Sequence, residues 1–399
     1  MTRKKVLMLT QNFYPAIGSA GNRMKNIFQL LLSHNIDIEV LTIEPSYPNK
    51  NMYKDRMFWD DEEINQLSNR ITRIPIKSRK FTNRLVSRLF FYLEIMYRFL
   101  MEVWKRRKDN IDYIYVSTPP IFIVLSAFFG KRLFRSKLIL EVRDLWPDSL
   151  AGVRVFDNKL IIGFFRFLEK RMYRNADTIV INSVGFKEHI ESKLKRPKTI
   201  TYLPNGPRQK ELDIAEENRD GFRVVYAGNL GMAQDVDRLK ELASLLNQHH
   251  IHFDVLGYGM KKNEFEKHIE DNNLFYVKIH EPTTRANSLQ LIRNSHVSIA
   301  FLNDEEVFST VLPGKVIDYM TCQTPIVAGV KGVAANIIHQ HQTGYALETT
   351  TEVAPIVEKV LELRDNPELL ETMKKNCRKL IQDEFLWEHN IVKIVDIIK

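Results

Sequence analysis

Residues 312–330, LPGKVIDYMTCQTPIVAGV, set a proline and a glycine ahead of an amphipathic helical run, close it with a polar turn and continue into an apolar strand. Helix, turn and β-branched strand in that order form half of a βαβ unit. The same alternation extends upstream through FRVVYAG (222–228), a helix over about 235–248, HFDVLGYG, FYVKIH and VSIAFL. An earlier series contains KVLMLT, a helix from about Asn22 to Ser33, DIEVLTI, DYIYVS, KLILEV and DTIVIN. Two such series predict an α/β protein with two doubly wound, Rossmann-like domains. Between them, YLPNGPRQKELDIAEENRDG carries Pro204, Asn205, Gly206 and Pro207 and then a charged, strand-poor stretch, the composition of a linker. The expected division is 1–203, 204–378, and a C-terminal helix over 379–399, anchored by Phe385 and Trp387, that crosses back to the first domain. Sheets of this kind bind ligands at the carboxyl ends of their strands, and the two sets of ends are expected to face one cleft.

Bulk composition narrows the partners. A formal charge of +9 asks for an acidic one: nucleic acid, an anionic membrane face or a phosphorylated small molecule. Nucleic acid is disfavoured because the basic residues cluster at 77–108 among apolar positions instead of tracking a groove. Cys322 and Cys377 are the only cysteines, without CxxC spacing, so neither a disulfide framework nor a zinc site is indicated and a reduced, cytoplasmic setting is expected. His249, His250, His252, His339 and His341 lack a carboxylate pattern and read as surface residues, so no metal is expected. The apolar run of MTRKKVLMLTQNFYP stops at Leu9, which fits a first strand and not a signal peptide, and no stretch is apolar enough to span a bilayer.

Glycines cluster behind strands in the second series. YAGNLGMAQD places Gly228, Asn229 and Gly231 between a strand and a helix, and LGYGMKK places Gly257, Tyr258, Gly259 and Lys261 behind the next strand. Backbone N–H groups and a helix dipole at such places suit a diphosphate; the same glycines also fit plain tight turns. Neither GxGxxG nor GxxxxGK[ST] is present. In the opening stretch Gly314 leaves the helix start unobstructed. Lys315 offers a point charge for phosphate, and Asp318, one turn on, can accept ribose hydroxyls. A surface Lys/Asp pair would have the same spacing.

With these residues assembled, the chain resembles the retaining glycosyltransferases of the family 4 type, whose fold is called GT-B. Within them it is similar to the branch that transfers N-acetylated amino sugars such as N-acetylfucosamine in capsule and O-antigen synthesis. QNFYPAIGSAGNRMKNIFQLLLSHNIDIEVLT, STPPIF…LILEVRDLWPDSL, VVYAGNLGMAQDVD and LPGKVIDYMTCQTPIVAG carry the resemblance, which covers essentially the whole chain. It implies that Gly18, Ser19, Ala20 and Gly21, with Arg23 in the next helix, face the donor diphosphate and the acceptor. It further implies that Gly228, Asn229 and Gly231 face the donor, that Asp318 holds its ribose and that Lys315 meets its phosphate. The family's glutamate pair, seven apart, falls here on Val311 and Asp318, and a histidine common after the LILEV-like strand is Arg143, followed by Asp144. The arginine and lysine usual in the second-domain glycine loop are missing, so the donor phosphate is expected to lean on backbone amides, Lys315 and Lys261. Asp144 is expected to contact a sugar and Arg143 to neutralise phosphate, although an Arg/Asp pair of structural purpose fits the same residues.

The implied reaction moves a sugar from a UDP-sugar to a polyprenyl-diphosphate-linked saccharide, without cofactor or metal, at the inner face of the plasma membrane. A GT-B enzyme acting on a protein or soluble glycan, and a nonhydrolysing UDP-sugar epimerase, are the alternatives. The membrane expectation rests on 77–108, KSRKFTNRLVSRLFFYLEIMYRFLMEVWKRRK. There Leu85, Leu89, Leu93, Met96, Leu100 and Val103 recur on one helical face and Arg84, Arg88, Arg98, Glu102 and Lys105 on the other, with Phe81, Phe90, Phe91 and Trp104 as interfacial rings. A helix packed wholly on the first domain is the competing reading.

Overall fold

The structure, a computed structural model, describes residues 3–78, 85–149, 159–217, 220–231, 234–347 and 352–399. The chain divides into two compact units, Met1–Pro204 with Asn390–Lys399, and Asn205–His389. Of the C-terminal segment, Asn390–Lys399 groups with the first unit, whereas 379–389 stay with the second. Polar contacts that hold that tail include the Tyr113 hydroxyl donating to Ile397 O at 3.0 Å and Lys393 Nζ donating to Tyr202 O at 3.3 Å.

Among the described residues the first unit contains a seven-stranded sheet in the order β3-β2-β1-β4-β5-β6-β7. Its strands are β1 (Lys5–Leu9), β2 (Asp37–Ile43), β3 (Ile71–Ile74), β4 (Tyr113–Thr118), β5 (Lys137–Val142), β6 (Thr178–Ile181) and β7 (Ile200–Tyr202). Every pairing is parallel. Tyr113–Thr118 is buried along its whole length, as a strand covered on both faces must be.

Helix α1 (Ser19–Ser33) returns the chain from β1 to β2, while α2 (Leu85–Lys105), α3 (Ile121–Phe134) and α4 (Lys159–Asn175) carry it the other way, to β4, β5 and β6. Right-handed crossovers therefore set α1 on one face of the sheet and α2, α3 and α4 on the other. Alternation along β4 agrees. A Cβ on Gly130 of α3 would lie 2.7 Å from Ile114 Cδ1, whereas the hydroxyl of the next residue, Tyr115, lies 2.7 Å from Glu141 Oε1, which is ion-paired to Arg23 of α1.

Helix α2 departs from the expected pattern. Its inward stripe is Phe91, Ile95, Phe99 and Val103, all buried, so Val103 belongs to the core and not to a surface stripe. Leu89 and Leu93 are exposed, Met96 and Leu100 half-buried, and a second apolar stripe of Phe90, Leu93, Tyr97, Met101 and Trp104 faces outward. Phe81 and Arg84, with the side chains of Leu85 and Arg88, lie outside the described residues.

The second unit holds, among the described residues, a six-stranded sheet in the order β10-β9-β8-β11-β12-β13. Its strands are β8 (Arg223–Asn229), β9 (His252–Tyr258), β10 (Val277–His280), β11 (Val297–Phe301), β12 (Ile326–Gly329) and β13 (Gly344–Ala346), again all parallel. Three helices matter for the site. Helix α5 (Val236–Gln248) is capped by Asp235, α6 (Arg285–Arg293) by Thr284, and α7 (Gly314–Thr321) starts directly behind Pro313.

Candidate active site

The two glycine loops of the second unit meet at the carboxyl ends of β8 and β9, where Gly228 pairs with Gly257 and Asn229 with Tyr258. Leu230 N donates to Tyr258 O at 2.6 Å, and Lys261 N donates to Leu230 O at 3.0 Å, so the loops are stitched main chain to main chain. Three of the loop glycines have a steric reason. A Cβ on Gly257 would lie 2.6 Å from Leu230 Cδ1, one on Gly231 would lie 2.6 Å from Asn229 Nδ2, and Gly228, at φ 152°, would meet Lys315 Nζ at 3.2 Å.

Lys315 is therefore seated at the glycine loop itself. From the first turn of α7 its ammonium donates to the Tyr226 hydroxyl at 2.8 Å and to Gln234 Oε1 at 2.7 Å, and it lies 4.1 Å from the centre of the Tyr226 ring. The Tyr226 hydroxyl in turn donates to Asn229 O at 3.0 Å. Burial pushes the lysine pKa down to about 7, because these partners are dipoles and a ring face and none carries a full negative charge. Tyr319, on the same helix, accepts from Ala227 N at 2.9 Å and donates to Ile299 O at 2.9 Å, which fixes α7 against β8 and β11.

Asp318 does not pair with Lys315. Its Oδ1 accepts from Arg285 Nη1 of α6 at 3.0 Å, and Arg285 also reaches Glu211 through Nε at 2.5 Å and Nη2 at 3.3 Å. Burial raises the Asp318 carboxyl above the usual carboxylate range, and Arg285 opposes the shift. Tyr226, Gln234, Arg285 and Glu211 were not singled out from sequence. Arg285 had one visible signal, a cation just inside a threonine-capped helix behind a strand.

A cavity of about 390 Å³ opens at the carboxyl ends of β11 and β12, lined by Leu302, Asp304, Glu305, Phe308, Ser309 and Lys331 among others. Lys331 Nζ donates to Asp304 Oδ1 at 2.6 Å, and the acidic and hydroxyl groups around it can receive hydroxyl donors. Among the described residues no group of three His, Cys, Asp or Glu side chains could hold a metal ion.

In the first unit the loop behind β1 enters α1 through Gly18, at φ 98°, with Gly18 and Ser19 exposed and Ala20 half-buried. Gly21 packs so closely that a Cβ would sit 2.1 Å from Ala16 O. Arg23 corrects the expectation. It is 1% exposed, donates from Nε to Glu141 Oε1 at 2.8 Å and from Nη1 to Pro204 O at 3.1 Å, and so faces the core instead of the loop surface. A guanidinium held by a buried carboxylate cannot leave it for solvent without stranding that charge. Arg143, just past β5, donates from Nε to Ser117 Oγ at 2.7 Å and from Nη2 to Pro119 O at 3.3 Å. Beside it Asp144, half-buried, accepts from Ser149 Oγ at 3.0 Å, and burial raises its carboxyl above the usual range.

Two family models match almost end to end: that of the glycosyl transferase 4-like domain over residues 18–206, and that of the glycosyl transferases group 1 over residues 207–380. The chain belongs to this glycosyltransferase family. Among its curated relatives, the capsular polysaccharide biosynthesis glycosyltransferase CapM of Staphylococcus aureus is 22% identical over 85% of this chain and 88% of its own length. A glycosyl transferase of Escherichia coli strain K12 named for colanic acid biosynthesis, WcaI, is 19% identical over 68% of this chain and 70% of its own. Among solved structures, Anabaena HepE in complex with UDP-glucose superimposes with a TM-score of 0.70 over 98% of this chain and 99% of that one, at 13% identity. The enzyme's fold is GT-B, with two Rossmann-like parallel-sheet domains.

Proposed function

We propose that this glycosyltransferase moves a sugar from a UDP-sugar to a polyprenyl-diphosphate-linked saccharide during cell-surface polysaccharide synthesis. The observation that carries the reading is the seat of Lys315 at Gly228: a half-buried ammonium against a glycine loop, at the start of a helix, with only dipoles around it. A diphosphate supplies the counter-charge that this ammonium lacks. Asp318, on the next turn, takes the ribose in exchange for, or beside, Arg285. Gly228, Asn229, Gly231, Gly257, Tyr258, Lys261 and Gly314 frame the donor, and Gly18, Ser19, Ala20 and Gly21 frame the acceptor side. Two relatives named for capsular and colanic acid polysaccharides, and a structural neighbour holding UDP-glucose, support the substrate class. Retention of configuration, an N-acetylated amino or deoxyamino sugar, and a metal-free mechanism with Asp144 and Arg143 at the reacting groups complete the reading.

The same reading includes peripheral attachment to an anionic inner-membrane surface. No helix among the described residues is long and apolar enough to cross a membrane. Support comes from the outer surface of the α2, α3 and α4 layer. Phe90, Tyr97 and Trp104 of α2 and Leu160, Phe164 and Phe167 of α4 are all exposed, Leu160 to 85%. Tyr92, Phe122 and Phe165 link the three helices ring to ring at 5.8 and 5.9 Å. Every exposed charge on α3 and α4, among the described residues, is basic: Arg132, Arg166, Lys170, Arg171 and Arg174. The one acid of α4, Glu169, is fully buried. Apolar rings bordered by cations of one sign fit an anionic bilayer surface.

The deciding experiment is a panel of UDP-, GDP- and dTDP-sugars scored by nucleotide release in the presence of a lipid-diphosphate saccharide. Release with a UDP-linked N-acetylated sugar, dependent on the lipid acceptor, is expected; release with GDP- or dTDP-sugars alone would overturn the donor assignment.

A further inference from the structure

Strands β4 and β5 present four polar side chains to the α1 face of the first sheet: Tyr115, Ser117, Glu141 and, two residues on, Arg143. Glu141 is fully buried and accepts from Arg23 Nε at 2.8 Å, Tyr115 Oη at 2.7 Å and Ser117 Oγ at 2.7 Å. Ser117 relays the contact, because its hydroxyl donates to Glu141 Oε2 while accepting from Arg143 Nε at 2.7 Å. Arg143 Nε is 3.7 Å from the same carboxylate oxygen. One carboxylate thus serves two guanidinium groups, and the Arg23–Glu141–Arg143 trio holds one positive charge more than it neutralises.

That surplus falls on Arg143, where the carboxylate of Asp144 beside it offsets part of the charge without accepting a hydrogen bond from it among the described residues. Its Nε and Nη2 are taken by Ser117 and the Pro119 carbonyl, and its Nη1 meets no acceptor among the described residues. The side chain is only 12% exposed and stands at the carboxyl end of β5, where sheets of this type meet their ligands. A guanidinium held on two sides with its third nitrogen open is a directed donor for an anion.

We infer that Glu141, acting through Ser117 and counter-charged by Arg23, is a positioning residue that fixes Arg143 so that Nη1 is presented to a phosphate group of the diphosphate-linked substrate. This rests on the functional reading above for the identity of the anion, but its geometry does not. It also gives Arg23 a role from inside the core. Arg23 holds Glu141 in place through its Nε, and through its Nη1 ties the network to the carbonyl of Pro204, the residue at which the first unit ends.

The test uses the full chain carrying Lys315→Ala, which removes the other anion seat, and titrates inorganic pyrophosphate by calorimetry. Binding should persist in this background and be lost when Arg143→Ala is added. Ser117→Ala keeps every charge and removes only the relay, and is expected to weaken pyrophosphate about tenfold. Glu141→Gln separates positioning from bulk electrostatics: deleting a negative charge near the site tightens anion binding if charge alone matters, and weakens it if Glu141 holds Arg143 in place. Should Glu141→Gln fail to fold, Ser117→Ala decides. Absence of pyrophosphate binding in the Lys315→Ala protein, or binding unmoved by Ser117→Ala, or tighter binding by Glu141→Gln, would each overturn the inference. None of these outcomes depends on sugar transfer, so a failed donor assignment would be seen separately.

Discussion

Lys315 gives the donor reading its sharpest test, because its protonation is tied to the ligand. Burial pushes its pKa down to about 7, with Tyr226 and Gln234 as its hydrogen-bond partners. A diphosphate beside the ammonium favours the charged form and raises that pKa again. Binding therefore takes up a proton wherever the free lysine is neutral and the bound one is charged. Below pH 7 the lysine is charged in both states and affinity is flat. Above it, affinity falls by about tenfold per pH unit as long as the bound pKa stays higher, which amounts to about thirtyfold, or ~2 kcal/mol, between pH 6 and pH 8.5. The ligand must be a UDP-sugar, since the terminal phosphate of UDP ionises near pH 6 and would impose its own slope. Calorimetry in buffers of different ionisation enthalpy should count close to one proton taken up at pH 8, and Lys315→Met should abolish both the uptake and the slope. The same shift bears on stability. A lysine whose folded pKa is lowered carries a penalty that is fully present below about pH 7 and is relieved as pH rises toward the unfolded value near 10.4. Lys315→Met should therefore raise the melting temperature more at pH 6 than at pH 9. Affinity unchanged from pH 6 to 8.5, with no proton uptake, would refute the placement of Lys315 at the phosphates.

Four further outcomes are expected. Asp318→Asn should weaken UDP binding about tenfold by removing a charged acceptor, and unchanged UDP affinity on calorimetry would remove Asp318 from the ribose site. Under the proposed metal-free mechanism, in which helix starts and cations would stabilise the leaving diphosphate, turnover should survive EDTA; loss with chelator and recovery with magnesium or manganese would require a metal-dependent route. Changing Phe90, Tyr97, Trp104, Phe164 and Phe167 together to serine should abolish co-sedimentation with phosphatidylglycerol vesicles at low salt, and equal binding by wild type and variant would discard the α2–α4 surface as the attachment site. Gly21→Ala should lower stability by about 1–3 kcal/mol in urea unfolding, because its Cβ would press on Ala16 O and the entry to α1 must shift.

The alternation of apolar strands and amphipathic helices made the two parallel sheets legible, because strands buried on both faces read as short continuous apolar runs. β3, β7 and β13 were missed. Each is an edge strand of three or four residues, too short to show a period. Among the candidate site residues, the glycines were visible: Gly228 and Gly257 punctuate strand ends where the chain passes close to Lys315 and Leu230. What they pass close to was not visible, since Tyr226 is in sequence a core strand residue and its hydroxyl contact with Lys315 spans 89 positions. Arg23 failed for a related reason. The family resemblance set it with Gly18, Ser19, Ala20 and Gly21 toward the diphosphate and the acceptor, but the partner that draws it inward, Glu141, lies 118 positions away within an apolar run. A helix with two apolar stripes, as α2 has, shows one averaged face to a pattern search, so Phe91, Ile95, Phe99 and Val103 could not be told from the outward set.

The alternation of Ile114 with Tyr115 makes the first sheet a partition, with the charged network on the α1 side and the apolar helix layer on the other. Substitutions on opposite faces of the sheet itself should act nearly independently, the exception being the loop of Asp144, where Trp146 packs on Phe165 of α4 at 4.5 Å. On the proposed membrane reading, exchanging the outward aromatics of α2 and α4 for polar residues should release the surface while leaving the Glu141 network on the other face unchanged, so that attachment and anion binding can be measured apart.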